Sequence, residues 1–140
     1  MRRVVTVATG TALAIMALPA EVARQFDLDC TGTTKDRFGY EKPFRQTIHV
    51  DLDADTYCPD DCEAVFNIHR QSDDVITLTD RPSDGYWLVN RSTWTRSTGR
   101  YAAELKASTR VFTHRVTTGQ CVAGPLSIER ARLSSATHLF

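Results

Sequence analysis

The stretch FDLDCTG, residues 26–32, alternates apolar and polar side chains without interruption. On an extended chain Phe26, Leu28 and Cys30 fall on one face, and the aspartates between them fall on the other. This pattern predicts a half-buried β-strand near the start of the folded domain, with a cysteine on its buried face.

The same period continues along most of the chain. In RQTIHVDLDAD, residues 45–55, Ile48, Val50 and Leu52 are expected to point inward. The polar residues between them, His49, Asp51 and Asp53, are expected to point outward. Further strand-like segments, separated by turn signals such as QSDD, RPSDG and TRSTG, are 63–70, 75–80, 86–94, 101–108 and 110–124.

Two of these segments need comment. Residues 101–108, YAAELKAS, alternate like a strand but consist of good helix formers, so a strand is favoured and a helix stays open. In the last segment Phe112 and Val116 are expected to point inward, and PLSIERARLSSATHLF is expected to form a tail or strap. The predicted fold class is therefore all-β: one small antiparallel barrel-like or sandwich domain of about seven strands.

The N-terminus has the pattern of a secretory signal peptide. Arg2 and Arg3 precede an uncharged, apolar run that ends in small residues, with cleavage expected after Ala20 or Ala23. A membrane anchor is the alternative, but the run is near the lower limit for spanning and contains threonines and a glycine. The prediction is a signal peptide over residues 1–23 and a single β domain over 24–140, exported to a bacterial periplasm or the outside.

The cysteines are expected to form two disulfides, because four thiols remain after cleavage in an oxidising compartment. A turn at Pro59 can join Cys58 to Cys62, which leaves Cys30 to pair with Cys121. A redox centre normally shows a shorter spacing at a helix start, and a zinc site needs further ligands. The structural disulfide reading is therefore preferred over metal or redox chemistry.

The charge distribution argues against a nucleic-acid binder, which is usually basic overall, because the formal net charge is zero. The first half of the mature region is acidic and the second half is basic. We expect the two halves to pair their charges across neighbouring strands, and the alternative is that they form separate acidic and basic binding faces.

No catalytic, metal-binding or cofactor-binding set is predicted. The spacing of Asp51, Asp53 and Asp55 matches the first ligands of a calcium loop, but Thr56 and Cys62 occupy its glycine and glutamate positions. There is no nucleophile elbow of the form G-x-S-x-G. His114 is the one histidine that would serve a small hydrolase, which is the least favoured of the functions considered.

The densest functional-looking segment is NRSTWTRSTGRY, which combines guanidinium groups and aromatic rings around a glycine turn. Such side chains are favoured anchors at interfaces. The alternative is a hairpin whose tryptophan packs in the core and whose arginines face water. The candidate binding surface consists of Arg91, Trp94, Arg96, Arg100 and Tyr101.

Together with IHVDLDADTYCPDDC and GQCVAG, these segments resemble small secreted four-cysteine proteins of proteobacteria of unknown function. That resemblance supports the compartment and the disulfides, and it implies no activity. A weaker likeness is to the periplasmic inhibitors of c-type lysozyme, through Ser97, Thr98, Gly99, Arg100 and Tyr101. This loop is out of register by one residue, and Lys106 lies too close to match the lysine of that family.

The function predicted is a secreted, non-enzymatic binding module for a protein or a small ligand, without stable membrane insertion after cleavage. An inhibitor of a cell-wall hydrolase is the alternative.

Overall fold

The computed structural model describes residues 24–81, 87–108 and 112–137, and it confirms an all-β domain. Residues 1–23, where the signal peptide is predicted, lie outside the described residues, as do 138–140. The strands are β1 Gln25–Asp36, β2 Glu41–Asp51, β3 Thr56–Pro59, β4 Phe66–Asn67, β5 Arg70–Gln71, β6 Val75–Arg81, β7 Trp87–Thr95, β8 Arg100–Ser108 and β9 Phe112–Pro125. A 3-10 helix, Arg130–Leu133, follows them.

The strands form one antiparallel sheet in the order β4-β3-β2-β1-β9-β8-β7-β6-β5. The sheet curls into a half-barrel, so the barrel-like form holds and the sandwich does not. The ambiguous segment 101–108 belongs to β8 and is a strand. The additional strands come from a short β3 that was not predicted and from a predicted strand, 63–70, that is divided into β4 and β5.

That division shows how the sheet curls. Phe66–Asn67 pairs with β3 at one end of the strand order, and Arg70–Gln71 pairs with β6 at the other. A six-residue segment therefore links the two ends of the sheet. The hydroxyls of Tyr57 on β3 and Thr79 on β6 lie 2.6 Å apart and add a second link.

The core lies on the concave face of the sheet, and the apolar residues of β1 point to it as their alternation predicts. Phe26 and Leu28 are opposite Val50 and Ile48 of β2, and all four are buried. The ring of Phe26 lies 5.7 Å from that of Trp94 across the interior. The main cluster consists of Phe26, Leu28, Cys30, Ile48, Val50, Leu52, Ile68, Ile76, Leu78, Trp94, Tyr101 and Cys121.

Two glycines let the central strands β1 and β9 approach closely. Gly32 is paired with Gly119, and a Cβ added to Gly32 would lie 2.0 Å from the Thr118 carbonyl oxygen. The space above this pair is filled from the neighbouring strands. The rings of Phe44 and Tyr101 stack there with centroids 5.6 Å apart.

Both predicted disulfides are present. Cys30 and Cys121 are direct partners on adjacent strands in the middle of the sheet, and their bond closes a loop with a sequence separation of 91. Such a loop contributes about 4–5 kcal/mol in the chain-entropy model. The Cys58–Cys62 bond spans a turn in which the Cys62 amide donates to the Pro59 carbonyl at 3.0 Å.

The tail forms a strap, residues 126–137, across the convex face of β2 and β3. Leu133 is fully buried against Cys58, Cys62 and Val65. The Thr56 hydroxyl donates to the Leu133 carbonyl, and the Val65 amide donates to the Thr137 hydroxyl at 2.7 Å. The strap makes further polar contacts with the sheet and its turns. Arg130 pairs with Asp51 and Asp53. Arg132 donates to the carbonyl oxygens of Asp61 and Cys62, and the Ser127 hydroxyl donates to the Asp27 carboxylate. Through the strap, Arg130 of the basic second half pairs with aspartates of the acidic first half, and Asp36 of β1 lies opposite Arg115 of β9.

The strap corrects the expectation that His49 and Asp51 face solvent. They do point to the convex face, yet they are only 3% and 1% exposed because the strap and the β3 turn cover them. The expected inward direction of Phe112 and Val116 is also wrong. Since Cys121 faces Cys30 in the core, the odd-numbered residues of β9 point inward, and Phe112 is 42% exposed.

Candidate functional site

The predicted binding surface is divided by the fold. Trp94 and Tyr101 are 3% and 6% exposed and belong to the core, so their rings are not accessible to a partner in this structure. Arg96 lies in the turn between β7 and β8, where its amide donates to the Asp74 carbonyl at 2.7 Å. Arg91 and Arg100 point outward, and their role in binding stays a prediction.

The two outward arginines line a shallow trough on the convex face of β7, β8 and β9. Its volume is about 360 Å³, and small side chains form its floor. The Arg91 Nε lies 3.9 Å from an Asp80 carboxylate oxygen. The side chains that line it are Arg91, Thr93, Arg100, Ala102, Glu104, Val116 and Thr118.

The loop that resembles lysozyme inhibitors is anchored to the β5–β6 turn. The Ser97 amide and hydroxyl both donate to the Asp74 carboxylate, at 2.8 Å and 2.9 Å. Gly99 has a φ of +72°, which fits a glycine at the turn. The serine hydroxyl is therefore bonded within the protein, and the inhibitor likeness stays a prediction.

A different surface emerges at the turn between β1 and β2. The Asp36 carboxylate accepts hydrogen bonds from the amides of Phe38 and Tyr40, at 2.9 Å and 3.1 Å. The Asp36 amide donates to the Tyr40 carbonyl at 3.0 Å, and Gly39 takes a φ of +85°. Side chain and backbone thus fix this turn internally.

The fixed turn presents aromatic side chains to solvent. Phe38 is 68% exposed, Tyr40 is 70% exposed, and Phe112 of the neighbouring β9 is 42% exposed. Arg37 joins them: its guanidinium lies 4.4 Å from the centre of the Phe38 ring and donates to the Phe112 carbonyl at 2.9 Å. We call Arg37, Phe38, Tyr40 and Phe112 the tip surface.

A small cavity of about 190 Å³ lies between the turn and the start of β9. Its polar lining includes Asp36, Arg37, His114 and Arg115. The His114 Nε2 is 3.4 Å from a Glu104 carboxylate oxygen, so this histidine is part of the surface rather than of the core. The cavity places two arginines beside exposed rings.

A second histidine cluster joins the strap to the sheet. The Asp27 carboxylate accepts a 2.5 Å hydrogen bond from the Ser127 hydroxyl, and its other oxygen lies 2.6 Å from His49 Nδ1. The His49 Nε2 lies 2.7 Å from the Asp60 carbonyl oxygen. In a serine hydrolase the histidine lies between serine and aspartate. Here the aspartate lies between the other two, so the order of a catalytic triad is not reproduced and the cluster joins the strap to β1 and β2.

The aspartates of the β2–β3 turn are bonded within the protein, and Asp51 and Asp53 share Gln25 and Arg130 as partners. Asp51 accepts from the amides of Asp53 and Ala54, both at 3.0 Å. Hydrogen bonds from the Arg24 guanidinium and then the Gln25 amide hold the pKa of Asp53 below its usual value. Within 24–81, 87–108 and 112–137, no three His, Cys, Asp or Glu residues are grouped to hold a metal ion.

The comparisons with known proteins give no relative: no family model, curated protein or solved structure matches this chain. In the part of the chain that the structure describes, no helix has the length and apolar character needed to cross a membrane. The likeness to secreted four-cysteine proteins stays a prediction.

Three residues of the tip surface lie in TKDRFGYEKP, a turn-rich segment between two predicted strands that was not predicted to bind a partner. A signal was present, because two aromatic residues flank a turn glycine outside any alternating run. Aromatic residues that no strand pattern directs into the core are candidates for exposure.

Proposed function

We propose that this protein is an exported, non-enzymatic binding module and that it binds its partner through the tip surface. The observation that carries the proposal is the exposure of Phe38 and Tyr40 on a turn that is fixed by Asp36. The two rings contribute little to the core, so their presence at the turn is better explained by contact with a partner.

The geometry of the turn favours binding energetically. A surface that is already ordered loses little conformational entropy when it associates. Aromatic and arginine side chains are also the residues that most often dominate binding energy at interfaces. The tip surface combines three rings and one guanidinium within a few residues of one turn.

Export is supported by two observations. Stable structural disulfides are typical of oxidising compartments, and this chain has two. The first 23 residues have the pattern of a signal peptide. Together they support a periplasmic or extracellular location.

The experiment is site-specific photo-crosslinking in the native cell envelope. A photoreactive phenylalanine analogue replaces Phe38 in the full chain, and the same analogue replaces Val122 as the control. Val122 is 72% exposed and lies away from the turn, which makes it a matched exposed apolar site. We expect an adduct of defined mass from position 38 and none from position 122.

Adducts of equal yield at both positions, or none at either, would contradict the proposal. An adduct obtained only with the analogue at position 91 or 100 would move the binding surface to the arginine trough.

A further inference from the structure

We propose that the tip surface binds an anionic lipid surface, with its rings in the membrane interface and the nearby cations against the headgroups. This inference rests on the proposed function, because it names the partner of the same surface. Peripheral contact of this kind needs no membrane-spanning segment.

The first argument is the charge around the tip surface. The β1–β2 turn and the adjoining parts of β8 and β9 carry five lysines and arginines against three acids. One of the acids, Asp36, directs its carboxylate to backbone amides of the turn, and Glu104 lies beside His114. The cations are Lys35, Arg37, Lys42, Lys106 and Arg115.

The second argument is the opposite charge at the far end of the sheet. β2 runs from Glu41 beside the tip to Asp51, a distance of about 35 Å for an extended strand. Residues 51–61, which turn at that far end and return along β2 as far as Thr47, contain five aspartates and no lysine or arginine. Arg24 and Arg130 from neighbouring segments pair with two of these aspartates. An anionic surface would therefore attract the tip and repel the opposite end, which fixes the orientation of the molecule.

The third argument is the type of side chain that is exposed. Aromatic rings are favoured at the boundary between headgroups and hydrocarbon, and cations beside them bind anionic lipids. Arg37 combines both features, since its guanidinium lies over the Phe38 ring and the residue is exposed. The rings lie on a turn at the end of a hairpin, which can enter an interface without any change in the sheet.

The test is flotation of the exported, disulfide-bonded protein with vesicles. One set contains phosphatidylcholine alone, and the other contains phosphatidylcholine mixed with phosphatidylglycerol. We expect binding to the mixed vesicles that weakens with salt, and little binding to the neutral ones. The double variant Phe38→Ser/Tyr40→Ser should lose about tenfold or more in partitioning, whereas Val122→Ser should bind like the wild type.

Charge removal gives an independent readout. In the double variant Lys42→Gln/Arg115→Gln, each lost cation should lower the partition coefficient by about fivefold. Both side chains lie on strands beside the turn and outside the hydrogen bonds by which Asp36 fixes it, so the variant is directed at charge. Equal binding to neutral and anionic vesicles would contradict the role of the headgroups.

The depth of the position 38 side chain in the bilayer distinguishes insertion of the rings from binding by charge alone. A tryptophan at position 38, Phe38→Trp, should lose fluorescence when the vesicle contains brominated acyl chains. Val122→Trp should show no additional loss. Absence of quenching at position 38 would overturn the insertion of the rings.

The crosslinking experiment distinguishes the two levels of the proposal. A protein adduct at position 38 without vesicle binding would overturn the lipid inference and leave the binding module intact. A lipid adduct at position 38 would support both. No adduct and no vesicle binding would contradict both.

Discussion

The two ends of the sheet use polar and apolar side chains in opposite ways. At the strap end, aspartates, a histidine and a serine are bonded to each other or to backbone groups, and Leu133 is fully buried. At the tip end, the residues Phe38 and Tyr40 are 68% and 70% exposed. The aromatic residues of the predicted binding surface, Trp94 and Tyr101, are buried, whereas Phe38 and Tyr40, which were not predicted to bind a partner, are exposed.

This contrast between the strap end and the tip end indicates where function can be sought in a small β domain. Side chains at the strap end have internal partners, so their replacement should lower stability. Side chains of the tip surface, apart from Arg37, have few internal partners, so their replacement should alter binding and leave stability unchanged. Four measurements test this contrast between the two ends.

The largest effect is expected in the strands that join the two ends. In Gly32→Ala the added methyl group meets the Thr118 carbonyl oxygen of β9, so the two strands must separate or shift. We expect a loss of about 3 kcal/mol or more in the free energy of unfolding, measured by urea titration. Gly124→Ala on β9 is the control, because nothing lies within 4 Å of its added Cβ. Similar losses in both variants would show that close approach is not the reason for Gly32.

The next effect concerns the strap end. Leu133→Ala removes a fully buried side chain from the cluster with Cys58, Cys62 and Val65. The expected loss is about 3 kcal/mol, typical of a leucine deleted from a packed core. Val122→Ala, at an exposed apolar position, should cost less than about 0.5 kcal/mol. A Leu133→Ala variant as stable as the wild type would mean that the strap is dispensable and that the two ends differ less than proposed.

A pH effect is expected in the core between the two ends. Burial, together with the nearby Tyr57, raises the pKa of Tyr101 to about 12, and a hydrogen bond with Ser92 opposes this shift. In the unfolded chain a tyrosine ionises near pH 10, so the unfolded state loses its proton first. The free energy of unfolding should therefore be unaffected below about pH 10 and fall by about 2–3 kcal/mol as the pH rises to about 12.

Denaturant titrations across this range, compared with those of Tyr101→Phe, check the prediction. The variant should show a shallower decline than the wild type. Parallel declines would assign the pH dependence to another group.

The smallest effect on stability is expected at the tip surface. Phe38→Ala and Tyr40→Ala should each change the free energy of unfolding by less than about 0.5 kcal/mol. The same urea titrations measure it, and Phe26→Ala in the core is the contrasting variant, with an expected loss of about 3–5 kcal/mol. A large loss from Phe38→Ala would show that the turn needs its ring for folding, and the contrast between the two ends would fail.

Much of the fold follows from local alternation. The inward set of β1, Phe26, Leu28 and Cys30, was predictable because one buried face imposes a period of two. Which residues of β9 face inward was also predictable, from the disulfide rather than from apolar residues. Once Cys30 is buried and bonded to Cys121, the odd-numbered residues of β9 must face inward. Phe112 and Val116 were predicted to face inward because they are apolar. The core space beside β9 at Gly119 is instead filled by the rings of Phe44 and Tyr101.

Other features depend on contacts that no local pattern records. The strap has no period, so the burial of His49 and Asp51 beneath it could not be read from β2 alone. Segment 63–70 was predicted as one strand. Its pairing changes from β3 to β6 within a few residues, and the alternation of side chains does not indicate that change. The tip surface was not predicted, for a related reason. Alternation indicates which strand residues face the core, but it gives no information about which side chains a turn exposes.

The segment 66–71 has a further consequence for association between molecules. Open sheet edges offer unpaired backbone groups to other chains, which is a common origin of fibrils and domain-swapped dimers. Here a single strip of chain occupies part of both edges, at Thr56–Tyr57 on one side and Ile76–Thr77 on the other. Where β6 continues past this strip it carries Asp80, whose charge opposes strand addition. The same short segment therefore pairs with backbone groups at both edges that would otherwise be open to strand addition from another chain.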